Sequence, residues 1–207
     1  ITFASNLVTG DVIDFIQILG NVLDLGVPSD ATVSTAKIVD ANVTAAKMFS
    51  GFANGITSAS QFRLTTTFTG DADPIASNWE EVDTDGYGRL GTAVSQSSGI
   101  FTFPATGIWH IISVMTHIEG DSAVQYATNR ITTTTDNSSY SDAATSYNSP
   151  ATASAYMTTS ANFIFDVTNT STHKVAIATN ANVTSTSTMG DSSRNRTSVT
   201  FIKLGDT

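Results

Sequence analysis

The fold is decided by residues 98–118, which read SGIFTFPATGIWHIISVMTHI. Apolar residues alternate along the second half of this stretch as they do in a β-strand, but on both faces. One face would carry Ile108, Ile112, Val114 and Ile118, and the other Trp109, Ile111 and Met115. A sandwich strand normally turns one face to water. The second apolar face therefore predicts burial against other copies of the chain.

The C-terminal stretch 197–204 repeats this pattern. Val199 and Phe201 would point to one face, and Ile202 and Leu204 to the other. A strand that is apolar on both sides again predicts that neighbouring subunits cover one of them.

The first half of the decisive stretch has the residues of a tight corner between two strands. Gly99 and Gly107 permit backbone conformations that other residues avoid, and Pro104 fixes its own φ angle. Phe101 and Trp109 supply large apolar side chains on either side of the corner. The pattern therefore predicts two packed strands joined at a corner that contains Pro104 and Gly107.

In this order, the five residues resemble the signature of the globular heads of complement component 1q and their tumour-necrosis-factor-like relatives. Residues 79–83, 86–88 and 196–204 resemble other strands of those heads, whereas residues 122–162 match nothing in them. The resemblance implies an all-β chain with a homotrimeric jelly-roll β-sandwich head. Core or trimer packing is then expected at Phe101, Pro104, Gly107, Trp109, Ile112, Val114, Phe201 and Ile202.

The remaining sequence predicts a short stalk before the head. The predicted segments are an apolar anchor or coiled seam at 1–27, a repeat stalk at 28–50, a linker at 51–61 and the head at 62–207. Residues 31–40 are echoed with a period of ten by residues 41–48, as in the shafts of phage tail fibres, which they resemble. The chain opens on Ile1 without a basic flank, which predicts a longer parent chain or processing.

Composition excludes several classes of protein. The chain has 207 residues, with 9 Lys and Arg against 18 Asp and Glu, so its net charge of −9 argues against nucleic-acid binding. It has no cysteine, which excludes disulfides and thiolate metal sites. No apolar run reaches the roughly 20 residues of a membrane helix, so we expect no membrane insertion.

The densest acidic stretch offers two chemical interpretations. Asp83 and Asp85 have the oxygen ligands that calcium prefers, although their spacing is not that of an EF-hand. Glu80 and Asp83 resemble the paired carboxylates of a glycosidase, but one short turn rarely provides that geometry. We therefore expect a solvated turn, with calcium as the alternative, and no catalytic residues or other cofactor.

The histidines and one arginine-rich loop complete the candidate residues. His110 and His117 would lie on opposite faces of one strand, so we expect core or interface histidines rather than a shared site. No Gly-x-Ser-x-Gly motif is present. Arg194 and Arg196 lie in a polar loop that could contact a sulfated or acidic sugar or could be a simple hairpin loop.

Together these features predict a structural protein of the virion surface. We expect a bacteriophage tail fibre or spike with a trimeric head that attaches to a host-surface glycan or protein. The N-terminal region would bind other virion proteins. Three alternatives stay open: a capsid decoration or head fibre, a secreted or cell-surface bacterial adhesin module, and a surface-polysaccharide hydrolase.

Overall fold

The computed structural model describes residues 8–12, 38, 42, 43, 47, 55–120, 125–149 and 151–207. The chain divides into two units, residues 1–52 and residues 53–207. In the first unit, the backbone N–H of Val8 donates to the Asp11 carboxylate at 2.9 Å. The apolar segment, the ten-residue repeat and most of the linker lie outside the described residues, so these assignments stay predictions.

The second unit consists of β-strands joined by turns and loops. Its strands are β1 (Ala59–Leu64), β2 (Phe68–Thr69), β3 (Trp79–Glu81), β4 (Ser95–Ser97), β5 (Ile100–Thr102), β6 (Gly107–Ile118), β7 (Ala127–Thr134), β8 (Ser141–Asn148), β9 (Tyr156–Val167), β10 (Lys174–Ala178), β11 (Ser187–Thr188) and β12 (Ser198–Gly205). No helix among the described residues is long and apolar enough to cross a membrane.

Two antiparallel sheets form the sandwich. The first has the order β3-β1-β12-β6-β9, and the short strands β11 and β2 extend it at the far end of β6. The second has the order β4-β5-β10-β7-β8. Consecutive strands alternate between the sheets at several crossings, as in a jelly roll. The predicted all-β jelly-roll sandwich is confirmed, and its first strand begins at Ala59.

Aromatic side chains from both sheets fill the core. Phe101 of the second sheet packs against Phe62 and Phe201 of the first, with ring centroids 5.4 and 5.1 Å apart. Phe103 lies 5.0 Å from Trp109 by the same measure. These tilted and edge-to-face arrangements are the ones that aromatic pairs favour. The corner motif therefore provides the centre of the core.

Two glycines set the turns on either side of β5, Gly99 in the β4–β5 hairpin and Gly107 at the corner before β6. Gly99 has a φ of +79° and Gly107 a φ of +139°. A Cβ atom on Gly99 would collide with the backbone of Ile75, and one on Gly107 would meet the carbonyl oxygen of Gly205. Pro104 lies exposed between them. In the single chain, Pro104 therefore shapes the corner and does not pack in the core.

The two faces of β6 differ in the way the alternation predicts. The core-facing side chains are fully buried and include Trp109, Ile111, Met115 and His117. The side chains turned away from the core are partly exposed and include Ile108, His110, Ile112, Val114 and Ile118. On β12, Phe201 is buried, whereas Leu204 is 48% exposed.

The segment 122–162, which matched nothing in the resemblance, contributes β7, β8 and the first half of β9. Threonine, serine and asparagine dominate these strands. β8 is one of the two edge strands of the second sheet, and β9 is one edge strand of the first. Because edge strands commonly carry polar side chains, they lack the apolar alternation that reveals a central strand.

The buried histidine His117 lies near the C-terminal end of β6. Asn148 donates to Nδ1 of His117 at 3.0 Å, so the ring proton lies on Nε2, which is 3.0 Å from the hydroxyl of Thr179. That hydroxyl donates to the carbonyl oxygen of Thr128 at 2.7 Å. Burial lowers the pKa of His117 from 6.5 to about 4.

We predict that acid destabilises the protein through His117. Because its pKa in the folded chain lies below that in the unfolded chain, the unfolded state binds more protons between pH 6.5 and about 4. The free energy of unfolding should therefore fall by up to about 3 kcal/mol as the pH drops through this window. Urea denaturation at several pH values and one protein concentration measures this slope.

The variant His117→Gln isolates this contribution, because its amide can hydrogen-bond without taking up a proton. It should be less stable than the parent near pH 7 and lose less stability on acidification. An unchanged slope in the variant would show that other groups cause the acid sensitivity.

Candidate functional site

On the side away from the core, which we call the outer face, the first sheet has apolar side chains along β6 and one largely apolar row across its strands. The positions paired with Ile112 and Val114 are polar. His110 pairs with Ile164 of β9 on one side and with Ile202 of β12 on the other. Ile202 in turn pairs with Ala59, and Ala59 forms a β-bridge with Leu90. Directly paired residues point to the same side of a sheet. A row of largely apolar side chains therefore crosses the whole outer face, with Ile164 59% exposed.

The corresponding side of the second sheet is different in character. Its side chains alternate with those of the core residues Ile131 and Val175. They are polar or small and include Arg130, Thr132, Lys174 and Ala176. Arg130 forms ion pairs with Asp73 at 2.6 Å and Asp142 at 3.0 Å. This side also has apolar side chains, since Ile100 pairs with Ala176 and Tyr147 is 67% exposed, but they form no row across the described strands like that of the first sheet.

A buried arginine organises the edge of the outer face. Arg63 of β1 is only 1% exposed, and its Nε and Nη2 atoms each lie 2.6 Å from a carboxylate oxygen, of Glu80 and Asp83 respectively. Its Nη1 atom donates to the hydroxyl of Thr84 at 2.7 Å. The two carboxylates proposed as a glycosidase pair are therefore held by one guanidinium, an arrangement that neutralises a buried charge.

Asp85 occupies a tight turn next to this cluster. The N–H of Tyr87 donates to the carbonyl oxygen of Thr84 at 3.1 Å, and φ is +55° at Asp85 and +77° at Gly86. Two central residues with positive φ define a type I′ turn, in which Asp-Gly is a favoured pair. No group of three His, Asp or Glu side chains in the described ranges could hold a metal ion. Calcium at Asp83 and Asp85 stays a prediction.

A polar groove of about 340 Å³ lies between this turn and the loop 193–195, with Gln61 and Arg63 of β1 among its lining residues. The N–H of Gln61 donates to the phenol oxygen of Tyr87 at 3.1 Å. The side-chain oxygen of Gln61 accepts a hydrogen bond from Asn195 at 2.6 Å. Gln61 is thus hydrogen-bonded to both walls of the groove, the turn at Tyr87 and the loop at Asn195. A hollow of about 210 Å³ adjoins the groove and shares Gln61 and Tyr87 with it.

Asp191 holds the second wall in place. Its carboxylate accepts hydrogen bonds from the N–H and hydroxyl of Ser193 at 2.9 and 2.7 Å. The Nε atoms of Arg194 and Arg196 lie 3.2 and 3.3 Å from it. The Ser193 bonds are the main cause that lowers the pKa of Asp191 to about 2, and the two arginines add to the effect. Arg194 nevertheless stays 69% exposed at the rim of the groove.

Several of these residues are predicted site residues, but the acidic stretch and the arginine-rich loop are more than 100 residues apart, so no local pattern places them together. Arg63 is not among the predicted site residues. An arginine between Phe62 and Leu64 in a strand is nevertheless the signal of a buried charge that needs partners.

The residues predicted to pack in the core or in a trimer interface are divided between the core and the outer face, and so are His110 and His117. Phe101, Trp109 and Phe201 are fully buried in the core, and Ile112, Val114 and Ile202 are on the outer face. His110 is on the outer face and His117 is on the core side of the same strand, as predicted. His173 stacks on Phe165 with ring centroids 5.6 Å apart.

Comparison with known proteins gives information on the fold. No protein-family model matches the chain, and no curated protein matches its sequence. Crystal structures of murine APRIL at pH 8.5 and at pH 5.0 share its fold, with TM-scores of 0.50 and 0.51. Each is 14% identical, and each alignment covers 71% of this chain and 98% of APRIL. The likeness supports the jelly-roll sandwich fold.

We predict that one carboxylate partner of Arg63 is enough to keep most of the unfolding free energy that the two partners provide together. Asp83 is 72% exposed, so Asp83→Asn should cost less than about 1 kcal/mol of unfolding free energy. Glu80→Gln should cost more, because Glu80 is 34% exposed. The double variant leaves the buried guanidinium without a carboxylate and should cost about 3–5 kcal/mol. Urea denaturation of all four proteins measures the coupling, and strictly additive losses would contradict it.

Proposed function

We propose that residues 59–207 are the homotrimeric head of a virion fibre or spike, from a bacteriophage, that attaches to the surface of the host. The observation that carries this proposal is the apolar row across the outer face. The row is partly exposed in a single chain, whereas the core between the sheets is already complete. An apolar surface of this kind is typical of an interface.

A homotrimer is the simplest assembly that would bury this apolar surface. The corner motif resembles trimeric jelly-roll heads, and the structure has the fold that this resemblance implies. β9 forms one edge of the first sheet and carries the exposed Ile164. In a closed ring, the β9 edge of each copy can pack on β6 and β12 of the next copy's outer face, so that every copy is both covered and covering while the β1 edge stays accessible.

The geometry of the sandwich favours attachment as the role of the loops. The paired positions Ala59–Ile202 and Gly107–Val167 define the end at which the chain enters the head. The paired positions Ile118 and Tyr156 define the opposite end, where the loop 189–197 lies. Three copies of a weakly binding loop surface gain avidity when all bind one cell. Attachment also needs no catalytic group.

The remaining parts of the proposal concern the N-terminal region and location. We propose that residues 1–50 join the head to other virion proteins and that the head is displayed on the virion surface, without a cofactor. A capsid decoration protein and a bacterial adhesin make different predictions for location, which the second experiment below distinguishes.

Native mass spectrometry should find three copies of the 21.7 kDa chain, about 65 kDa. Ile112→Glu should shift the mass to that of one chain, because it places a charge in the apolar interface. Its circular dichroism spectrum should be unchanged, because Ile112 faces away from the core. Tyr147→Glu is a matched control on the second sheet, where Tyr147 is 67% exposed, and it should stay trimeric.

A parent protein that is monomeric at micromolar concentration would contradict the proposed trimer. So would an Ile112→Glu variant that keeps the full mass of the parent assembly.

Antibodies raised against residues 59–207 should label the tail or spike of purified phage particles in electron microscopy. Label on the capsid shell would replace the attachment role with a decoration role. Label only on bacterial cells, with none on particles, would identify an adhesin and overturn the virion assignment.

A further inference from the structure

We propose that the groove between the turn 84–87 and the loop 193–195 binds one neutral sugar residue of a glycan. This inference rests on the proposed attachment function, because it names the class of receptor and the place where that receptor binds.

The size and rigidity of the groove suit a small polar ligand. Its volume of about 340 Å³ lies at the lower end of the range for small-molecule sites, about 300–1,000 Å³. Gln61 links both walls, through hydrogen bonds to Tyr87 and Asn195. Asp191 fixes the backbone of the loop at Ser193. The walls are therefore held in position before a ligand enters, which lowers the entropic cost of binding.

The groove offers the hydrogen-bonding groups that sugar hydroxyls require. The carboxylate of Asp85 makes no hydrogen bond or ion pair within the described part of the chain. Asn195 uses its amide nitrogen for Gln61, which leaves its side-chain oxygen as an acceptor. The exposed guanidinium of Arg194 supplies donors. Each hydroxyl of a sugar both donates and accepts, so a mixed set of partners matches it.

Tyr87 adds an apolar surface to this polar set. Its hydroxyl donates to Glu81 at 3.0 Å and accepts from Gln61, so the ring has a fixed orientation. Burial, together with Glu81, raises the pKa of Tyr87, so the phenol stays neutral at physiological pH. A neutral aromatic ring suits contact with the C–H groups of a sugar ring.

The charge balance favours a neutral sugar over an acidic one. Arg63 is paired with Glu80 and Asp83, and Arg194 and Arg196 share Asp191, so three arginines face four carboxylates once Asp85 is included. Asp85 remains as a charge without a paired cation in the described residues, and the whole chain carries −9. A carboxylated or sulfated sugar would therefore meet net negative potential. The arginine-rich loop taken alone predicts an acidic sugar. The carboxylates around the groove reverse that preference.

Saturation-transfer NMR on the full chain tests the proposal. The probes are the methyl glycosides of glucose, galactose, mannose and N-acetylglucosamine, with glucuronic acid and N-acetylneuraminic acid as the anionic set. At least one neutral glycoside should receive saturation at millimolar concentration, and neither anionic sugar should do so. The affinity for the bound glycoside should fall about tenfold or more in Asp85→Asn, which loses a charge-assisted hydrogen bond.

Asp85→Asn is a suitable variant because Asn-Gly also favours a type I′ turn, so the wall should keep its shape. The matched control is Asp142→Asn, on the second sheet beside Arg130, and it should bind like the parent. Absence of transfer from all four neutral glycosides would overturn the proposal. Preference for an anionic sugar, or equal weakening by both substitutions, would also overturn it.

These outcomes are separable from the failure of the proposed function. A trimer that labels phage tails but binds no neutral glycoside would refute the sugar groove alone. A monomer that binds a neutral glycoside in an Asp85-dependent manner would refute the trimeric head and leave the groove in place.

Discussion

Strand β6 imposes the constraint on which the rest of the structure depends, because it is apolar on both faces. Its core face holds Trp109 and Met115, which are fully buried between the sheets. Its outer face holds Ile112 and Val114, which the single chain leaves partly exposed. One sandwich can bury only one of these faces. The hydrophobic effect therefore both closes the core and leaves a surface that favours assembly.

Polar interactions have a different role from this apolar packing, since they determine where the loops lie. Arg63 gathers Glu80, Asp83 and Thr84 at the edge of the first sheet. Asp191 does the same for its own loop. Each cluster surrounds a charged side chain with partners. Arg63 needs them because an unpaired buried charge is costly, whereas the more exposed Asp191 orders its loop through hydrogen bonds. The groove is the space between the two clusters.

The sequence revealed features that depend on near neighbours. The turn at Gly99, the corner at Gly107 and the alternation along β6 are local patterns, because they follow from φ angles and the period of a strand. The edge strands β8 and β9 escaped notice because their polar residues lack that period. The groove escaped notice because Gln61 meets Asn195, which lies 134 positions away, and no local signal reports such a contact.

The outer face and the groove meet at one residue. Gln61 pairs with Thr200 on the outer face, donates to its hydroxyl at 2.6 Å, and lines both the groove and the adjoining hollow. A substitution of Gln61 would therefore disturb assembly and ligand binding together and could not separate them. Ile112 belongs to the outer face alone, and Asp85 lines the groove alone. Because of this division, the two proposals can be tested independently although they share strand β1.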